Sequence, residues 1–228
     1  MENLTVIDAI NQRSSKRRYL DKAIPKETLT KILEAGQMTP SGANMQSWTV
    51  YAVSNQAILD RVTDAIISHI EGGGDLDQFI QYYPLKWINP YKLRRIKTGA
   101  GLYEKMGVDR KDTETRTQLW YDNYRWFGAK NVLFVFVDKT LIEGAQGPLI
   151  DSGAYMQTVM LAAQGYGIDS CPQGSTTEYG RIIAKALEVP ENLALLYSIV
   201  LGYEDKEAIQ NSYQPKRVSL DENVTFLD

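Results

Sequence analysis

The sequence predicts an α+β fold in which one central, mostly antiparallel sheet is flanked by helices. Three observations carry this. Segments 131–137 and 195–201 are nearly continuous apolar runs of strand length, as strands covered on both faces are. Other segments place apolar residues at helical spacing, such as Leu29, Ile32, Leu33 and Gly36. Helices and isolated strands then alternate irregularly, without a regular βαβ repeat.

Composition fits that class. The 228 residues are 43% hydrophobic and 10% aromatic, spread along the chain, which excludes disorder as the main state. The length suits one domain with a full core or two tight small ones. A net charge of -3 argues against nucleic-acid binding through the overall field. Cys171 is the one cysteine, so no intrachain disulfide is possible, and His69 is the one histidine, which leaves little room for a histidine metal cluster. The first eleven residues carry acids at Glu2 and Asp8 and no apolar stretch, unlike a secretory peptide. The longest apolar stretch, 132–137, falls far short of the roughly 18 residues that span a bilayer. The expectation is a cytoplasmic protein.

In chain order, Thr5 is placed to cap a short helix that runs into the basic segment Arg13-Ser-Ser-Lys-Arg-Arg18. Pro25 precedes a second helix, which Gly36 and Pro40 bracket at its end. A turn-forming stretch, Pro40-Ser-Gly-Ala-Asn-Met-Gln46, leads into a strand over 48–53, rich in β-branched and aromatic residues. Ile58, Leu59, Val62, Ile66 and Ile70 mark an amphipathic helix that stops at Gly72-Gly-Gly74. After the 131–137 strand, Asp151-Ser-Gly starts a long helix, apolar nearly all round and so expected to be buried; Gly165 and Gly167 end it. Cys171-Pro-Gln-Gly174 reads as a tight loop. Tyr179, Ile182, Ile183, Ala186 and Leu187 form a further helix face, stopped by Pro190 before the 195–201 strand. Residues 202–215 are a polar connection, and 224–226 are strand-like.

Residues 75–128 differ from the rest. They hold Trp87, Trp120 and Trp126, six tyrosines, two prolines and mixed charge, with few long apolar stripes. Two readings stand side by side: helices packed over a core edge, or an aromatic lid over a pocket.

Chemistry is narrowed first by what is missing. The sequence has no G-x-G-x-x-G after a strand, no P-loop, no C-x-x-C and no H-E-x-x-H. Reactive atoms must then come from carboxylates, a hydroxyl or a bound cofactor. Arg13, Lys16, Arg17 and Arg18 put four cations in six residues, interleaved with serines. Taken alone this is a solvated basic loop; the same groups match a phosphate's oxygens. In an extended stretch Arg13, Ser15 and Arg17 point the same way. The 40–46 stretch offers Ser and Asn side chains to a flat polar ligand, and alone it reads as a turn. Cys171 has no neighbouring base in sequence and reads as a small buried hydrophobe. Lys216 and Arg217 add two cations near the chain's end.

As an ordered series these pieces carry more than any one of them. Arg13-x-Ser15-x-Arg17, Pro40-Ser-Gly-Ala-Asn44-Met-Gln46-x-Trp48, Asp151-Ser-Gly, Cys171-Pro-x-Gly174, Leu201-Gly-Tyr203 and Lys216-Arg217 together resemble the FMN-dependent nitroreductase family. The resemblance covers almost the whole chain. The aromatic middle ending Trp126-Phe127-Gly128-Ala129 is similar to the nitrobenzoate and nitrobenzene reductase branch. One departure stands in the most specific motif, where Gln46-Ser47-Trp48 replaces the family's usual Gln-Pro-Trp.

The resemblance implies a single FMN-binding domain over 1–228, with a variable lid at about 75–128 and a dimer-wrapping tail at about 204–228. It implies an intertwined homodimer with two FMN sites at the subunit interface. Arg13, Ser14, Ser15 and Arg17 would hold the ribityl phosphate and the flavin's pyrimidine edge, with Arg17 stabilising its reduced anion. Arg217 and Lys216 would reach the phosphate. Pro40, Ser41, Gly42 and Asn44 would come from the partner subunit. Pro172, Gln173 and Gly174 would lie along the flavin, and Asn123 would contact it. No side chain need act as nucleophile or base, and no metal is expected. Hydride would pass from NAD(P)H through FMN to a small aromatic acceptor, a nitroaromatic or quinone, in a ping-pong sequence, with Trp126 and Phe127 stacking on that acceptor. Neither nucleic acid nor membrane enters. The same fold also hosts dehalogenation, flavin breakdown and FMN-holding without turnover.

Overall fold

The computed structural model describes residues 4–227; Glu2 and the outermost residues of the expected 1–228 domain lie outside that range. Four strands form one sheet: β1 (Trp48–Val53), β2 (Asn131–Asp138), β3 (Asp169–Gln173) and β4 (Leu193–Gly202). Their order is β1-β2-β4-β3, and every neighbouring pair is antiparallel. The two apolar runs of the sequence are therefore the two central strands. Side chains alternate between the faces of a strand, and each face of β2 meets its own layer. Val132, Phe134 and Phe136 pack toward Tyr124, Trp126 and helix α3 (Gln56–Glu71). Leu133, Val135 and Val137 pack toward helices α2 (Lys26–Gln37) and α6 (Gly147–Gly165). Each of these six β2 side chains is fully buried. At about 1.5–3 kcal/mol apiece, they make β2 a principal source of core stability.

Local chemistry explains the helix ends. Thr5 and Asp8 form a reciprocal capping box at the start of α1 (Val6–Gln12). Asn55 accepts from Ala57 and Ile58 at the start of α3. The 75–128 region contributes two helices, α4 (Tyr91–Lys105) and α5 (Thr113–Tyr121), the latter capped by Asp112. Helix α7 (Gly180–Ala186) follows a 3-10 turn over Ser175–Tyr179.

Four details depart from expectation. Helix α6 begins at Gly147, four residues before Asp151, because Pro148 is well suited to a first helical turn. It is also not buried all round: Ser152, Tyr155 and Val159 face the core, while Ile150 and Gln157 are exposed. Residues 171–173 are strand β3 rather than loop. Pro172 is tolerated there because β3 is an edge strand, with β4 on one side only. The tail over 224–227 forms no strand: a lone segment without a partner strand is not stable as one, and Phe226 and Leu227 stand exposed.

Candidate functional site

The basic segment leaves α1 at Arg13 and runs extended beside the sheet edge. Ser15 bridges to Ser170 of β3, Lys16 N–H donates to Ser170 O at 3.1 Å, and Tyr19 N–H donates to Phe127 O at 3.2 Å. Lys16 turns away to a largely buried ion pair with Glu204, at 2.6 Å. From the other end of the chain, Asn211 fastens the tail to the same segment. Its Oδ1 accepts from Arg17 N–H at 2.6 Å, and its Nδ2 donates to Arg18 O at 2.7 Å.

These attachments build a cavity of about 340 Å³ lined by Arg13, Ser14, Ser15, Arg17, Tyr213 and Arg217. Among its lining residues, one Arg13 guanidinium nitrogen and the Ser14 hydroxyl are buried without any hydrogen-bond partner. Buried donors are normally satisfied, so these two mark the place of a missing acceptor. Burial, and then the neighbouring Arg217, push the Arg13 pKa below its ordinary value. A phosphate supplies both the oxygens and the negative charge that this cluster lacks.

Arg17 also lines a second, smaller cavity of about 100 Å³ with Asn123, Phe127, Asp122 and Tyr103. Asn123 thus faces the same cavity as Arg17, its Nδ2 donating to Trp120 O at 2.8 Å. Its backbone carbonyl accepts from Gln173 Nε2 at 2.8 Å, and the Ser198 hydroxyl donates to Gln173 Oε1 at 3.2 Å. Gln173 is held rigidly by those bonds, and Gly174 follows it at the end of β3. A Cβ built on Gly174 would overlap the ring of Tyr82, so that ring lies directly on the glycine. The segment carrying Tyr82 is pinned at Asp77, whose N–H donates to Glu178 O and whose carbonyl accepts from Arg181 N–H. Beyond that point the rings carry the contacts: Tyr82 meets Tyr83 edge-on at 5.0 Å, and Tyr83 meets Trp87 at 6.1 Å.

Several expected residues fall elsewhere. Trp126 is 2% exposed and packs edge-on against Phe134 of β2 at 5.2 Å. It is a core residue with no ring face open to an acceptor, because its backbone turn at the start of β2 aims it under the sheet. Phe127 is also buried, though it reaches the second cavity. Lys216 is exposed and does not line the Arg13 cavity. Pro40, Ser41, Gly42 and Asn44 do not line it and lie against α6: Gly42 N–H donates to the Asp151 carboxylate at 3.0 Å, and Gln46 N–H to Ser41 Oγ at 2.9 Å. Ala43, Asn44 and Gln46 hold this turn with positive φ. Cys171 is buried, and burial pushes its thiol pKa up, as suits a packing residue.

Asn211, Tyr213 and Tyr82 are the contributors that sequence reasoning missed. Asn211 sits in a polar connection and its signal is faint. Tyr82 was one aromatic among many in the lid region. Among the described residues no group of acids, histidine and cysteine is placed to hold a metal, and no helix is long and apolar enough to cross a membrane.

Known proteins resemble this chain in sequence and in fold. The model of the nitroreductase family matches residues 10–203. A 4-nitrobenzoate reductase from Nocardioides sp. (strain LMS-CY) is 32% identical, over 98% of this chain and 91% of its own. An FMN and NADPH-dependent nitroreductase NfnB from Sphigopyxis sp. strain HMH superposes with a TM-score of 0.91 at 30% identity, covering 99% of this chain and 100% of that one. The FMN-dependent nitroreductase NfnB from Mycobacterium smegmatis, solved in complex with NADPH, gives 0.89 at 30% identity over 96% of each chain.

Proposed function

The chain belongs to the nitroreductase family, and we propose that it is an FMN-dependent enzyme that takes electrons from NAD(P)H and delivers them to a flat nitroaromatic or quinone-like acceptor. The observation that carries this is the Arg13–Arg217 cavity, with two buried donors waiting for an anion. The chemistry that bound FMN supplies is two-electron transfer in two turns, from NAD(P)H and then to the acceptor, a ping-pong sequence.

The chain's own residues bind, orient and shield. Arg13, Ser14, Ser15 and Arg217 hold the phosphate. Arg17, at the junction of the two cavities, places a permanent positive charge where the flavin's pyrimidine edge gains negative charge, and Asn123 lies beside it. Pro172, Gln173 and Gly174 form a floor along the ring, kept in place by the bonds of Gln173 to Asn123 and Ser198. Tyr82, rather than Trp126, is the ring that stands where a flat acceptor must lie, with Phe127 behind Arg17. The sole histidine, His69, ties its Nε2 to Asp75 O at 2.7 Å and has no part in this.

The site is completed by a second copy. Pro40, Ser41, Gly42 and Asn44 do not line the cavity of their own chain, and we assign them to the partner's flavin. The surface around them is apolar in a way a monomer does not need: Val6, Ile7, Met38 and Ile150 are each more than 60% exposed, on elements that all pack against α6 or belong to it. The enzyme is then a cytoplasmic homodimer of single domains, each with the lid at about 75–128 and the tail at about 204–228.

Purified protein tests the reading directly. It should carry bound flavin, bleach anaerobically with NAD(P)H, and regain its colour on adding 4-nitrobenzoate, nitrobenzene or a quinone. Bound flavin that neither nucleotide reduces would leave an FMN-holding protein without turnover.

A further inference from the structure

We propose that the groove between α4 and α5 binds the 2′-phosphate end of NADPH, and that Arg95, Arg110 and Arg116 make the enzyme select NADPH over NADH. This rests on the NAD(P)H reading above and adds to it the site that distinguishes the two nucleotides.

The groove has a volume of about 700 Å³. Arg95, Arg110 and Arg116 all line it, and among the described residues none of the three has a carboxylate within ion-pair distance, whereas Arg94, Arg125 and Arg181 each do. Two of the three are held by stacking instead. The Arg116 guanidinium lies 4.4 Å over the Tyr103 ring, and that of Arg95 lies 4.9 Å over Trp87. A stacked guanidinium keeps its fork of donors free at its edge and has lost its rotamer freedom in advance. Glu104 and Asp109 also line the groove, but Asp109 Oδ1 is occupied by Lys111 N–H at 2.7 Å. The surrounding stretch, 91–125, carries nine Lys and Arg against five Asp and Glu, in a chain of net charge -3. This is the local place where a polyanion is drawn.

Position decides which anion. Three cavities stand in series: Arg17 lines both the phosphate cavity and the small one beside it, and Tyr103 lines both that small cavity and the groove. A ligand that reaches from the flavin site to the groove would run past Arg17 and Tyr103. A nitrobenzoate carboxylate would need only one guanidinium, and it would need it close to Gly174. The 2′-phosphate carries about two negative charges and three acceptor oxygens, which suit several forks at once. NADH offers a hydroxyl at that atom and gains little from three cations. The floor is small-sided: a Cβ on Gly99 would meet nothing within 4 Å, which leaves room along the groove for a flat base.

The test is titration of the flavin-loaded enzyme with 2′,5′-ADP and with 5′-AMP by calorimetry, which needs no turnover. We expect 2′,5′-ADP to bind about ten-fold tighter or more, an advantage reduced in Arg110→Ala and lost in the Arg110→Ala/Arg116→Ala double variant, with flavin content unchanged. The KM for NADPH should rise in both variants while that for NADH stays. Equal binding of the two ligands by the unaltered enzyme overturns the proposal. So does an advantage that survives in the double variant, or variants that weaken 4-nitrobenzoate relative to nitrobenzene and leave 2′,5′-ADP untouched. An enzyme that turns over NADH and NADPH alike keeps the reading of its function and loses this one. A protein that prefers 2′,5′-ADP but accepts electrons from neither nucleotide does the reverse.

Discussion

Arg13 and Arg217 stand near opposite ends of the chain and line one cavity, close enough that Arg217 helps to lower the pKa of Arg13. Two guanidiniums brought together without an anion repel each other, and a bound phosphate turns that cost into attraction. Arg217→Ala should therefore weaken FMN binding about 10- to 100-fold, on charge-assisted bonds of about 1.5–3 kcal/mol. Titrating apoprotein with FMN and following flavin fluorescence measures this. An unchanged Kd would remove Arg217 from the phosphate site.

Trp126 and Phe134 meet edge-on in the core. Trp126→Ala should cost about 3–5 kcal/mol of stability, read as a lower urea midpoint. Reoxidation by a nitroaromatic should keep its acceptor preference in whatever fraction remains folded. A selective change in that preference at full stability would restore Trp126 to the acceptor pocket.

Tyr82 covers Gly174 and is itself 46% exposed. Tyr82→Ala should open the flavin to solvent, so that iodide quenches flavin fluorescence severalfold more steeply, while Tyr82→Phe keeps the cover. Flavin content and melting temperature should change little in either. Identical quenching in all three proteins would show that the ring covers nothing.

Glu178 lies beneath the lid, and burial raises its pKa against the opposing pull of Arg95. The folded state thus favours its protonated form. That contribution to stability is present below the unfolded carboxyl pKa, about 4.3, and is lost as pH rises through the folded value. Glu178→Gln removes the charge at every pH. The variant should melt higher than the parent at pH 7 and lose that advantage near pH 3.5. Equal melting at both pH values would mean the carboxyl is solvated.

Ile150 is 71% exposed on α6, beside the turn that carries Gly42. A charge there should disfavour the dimer. Ile150→Glu is expected to sediment as monomer and to lose flavin with the partner's Pro40–Asn44 contribution. A flavin-loaded monomer would place that motif in its own chain's site after all.

The elements that could be located from the chain alone are those specified by near-neighbour chemistry. Thr5 with Asp8 starts α1, the β-branched and aromatic residues of 48–53 give β1, and the unbroken apolar runs give β2 and β4. Residues 171–173 were misjudged because a proline two residues before a glycine reads as a turn. Whether it is tolerated in a strand depends on which edge that strand occupies, and the chain order does not record that. The basic segment by composition alone read as a solvated loop and became a phosphate-site candidate only through the family resemblance, and its partner across the cavity was legible only as two weak cations near the end.

By itself, then, the sequence determined β1, β2 and β4, the cap of α1, the shortage of histidine that leaves the chemistry to a cofactor, and the cluster of cations at 13–18. Those follow from residue type and spacing along a few turns of chain. Only the tertiary structure decided that Asn211 ties the tail to Arg17, that Arg217 reaches the Arg13 cavity while Lys216 does not, and that Trp126 is core while Tyr82 is cover. The reason is physical. Contacts between residues far apart in the chain depend on how two layers pack across one sheet, and neighbouring side chains there point to opposite faces for reasons of register rather than of type.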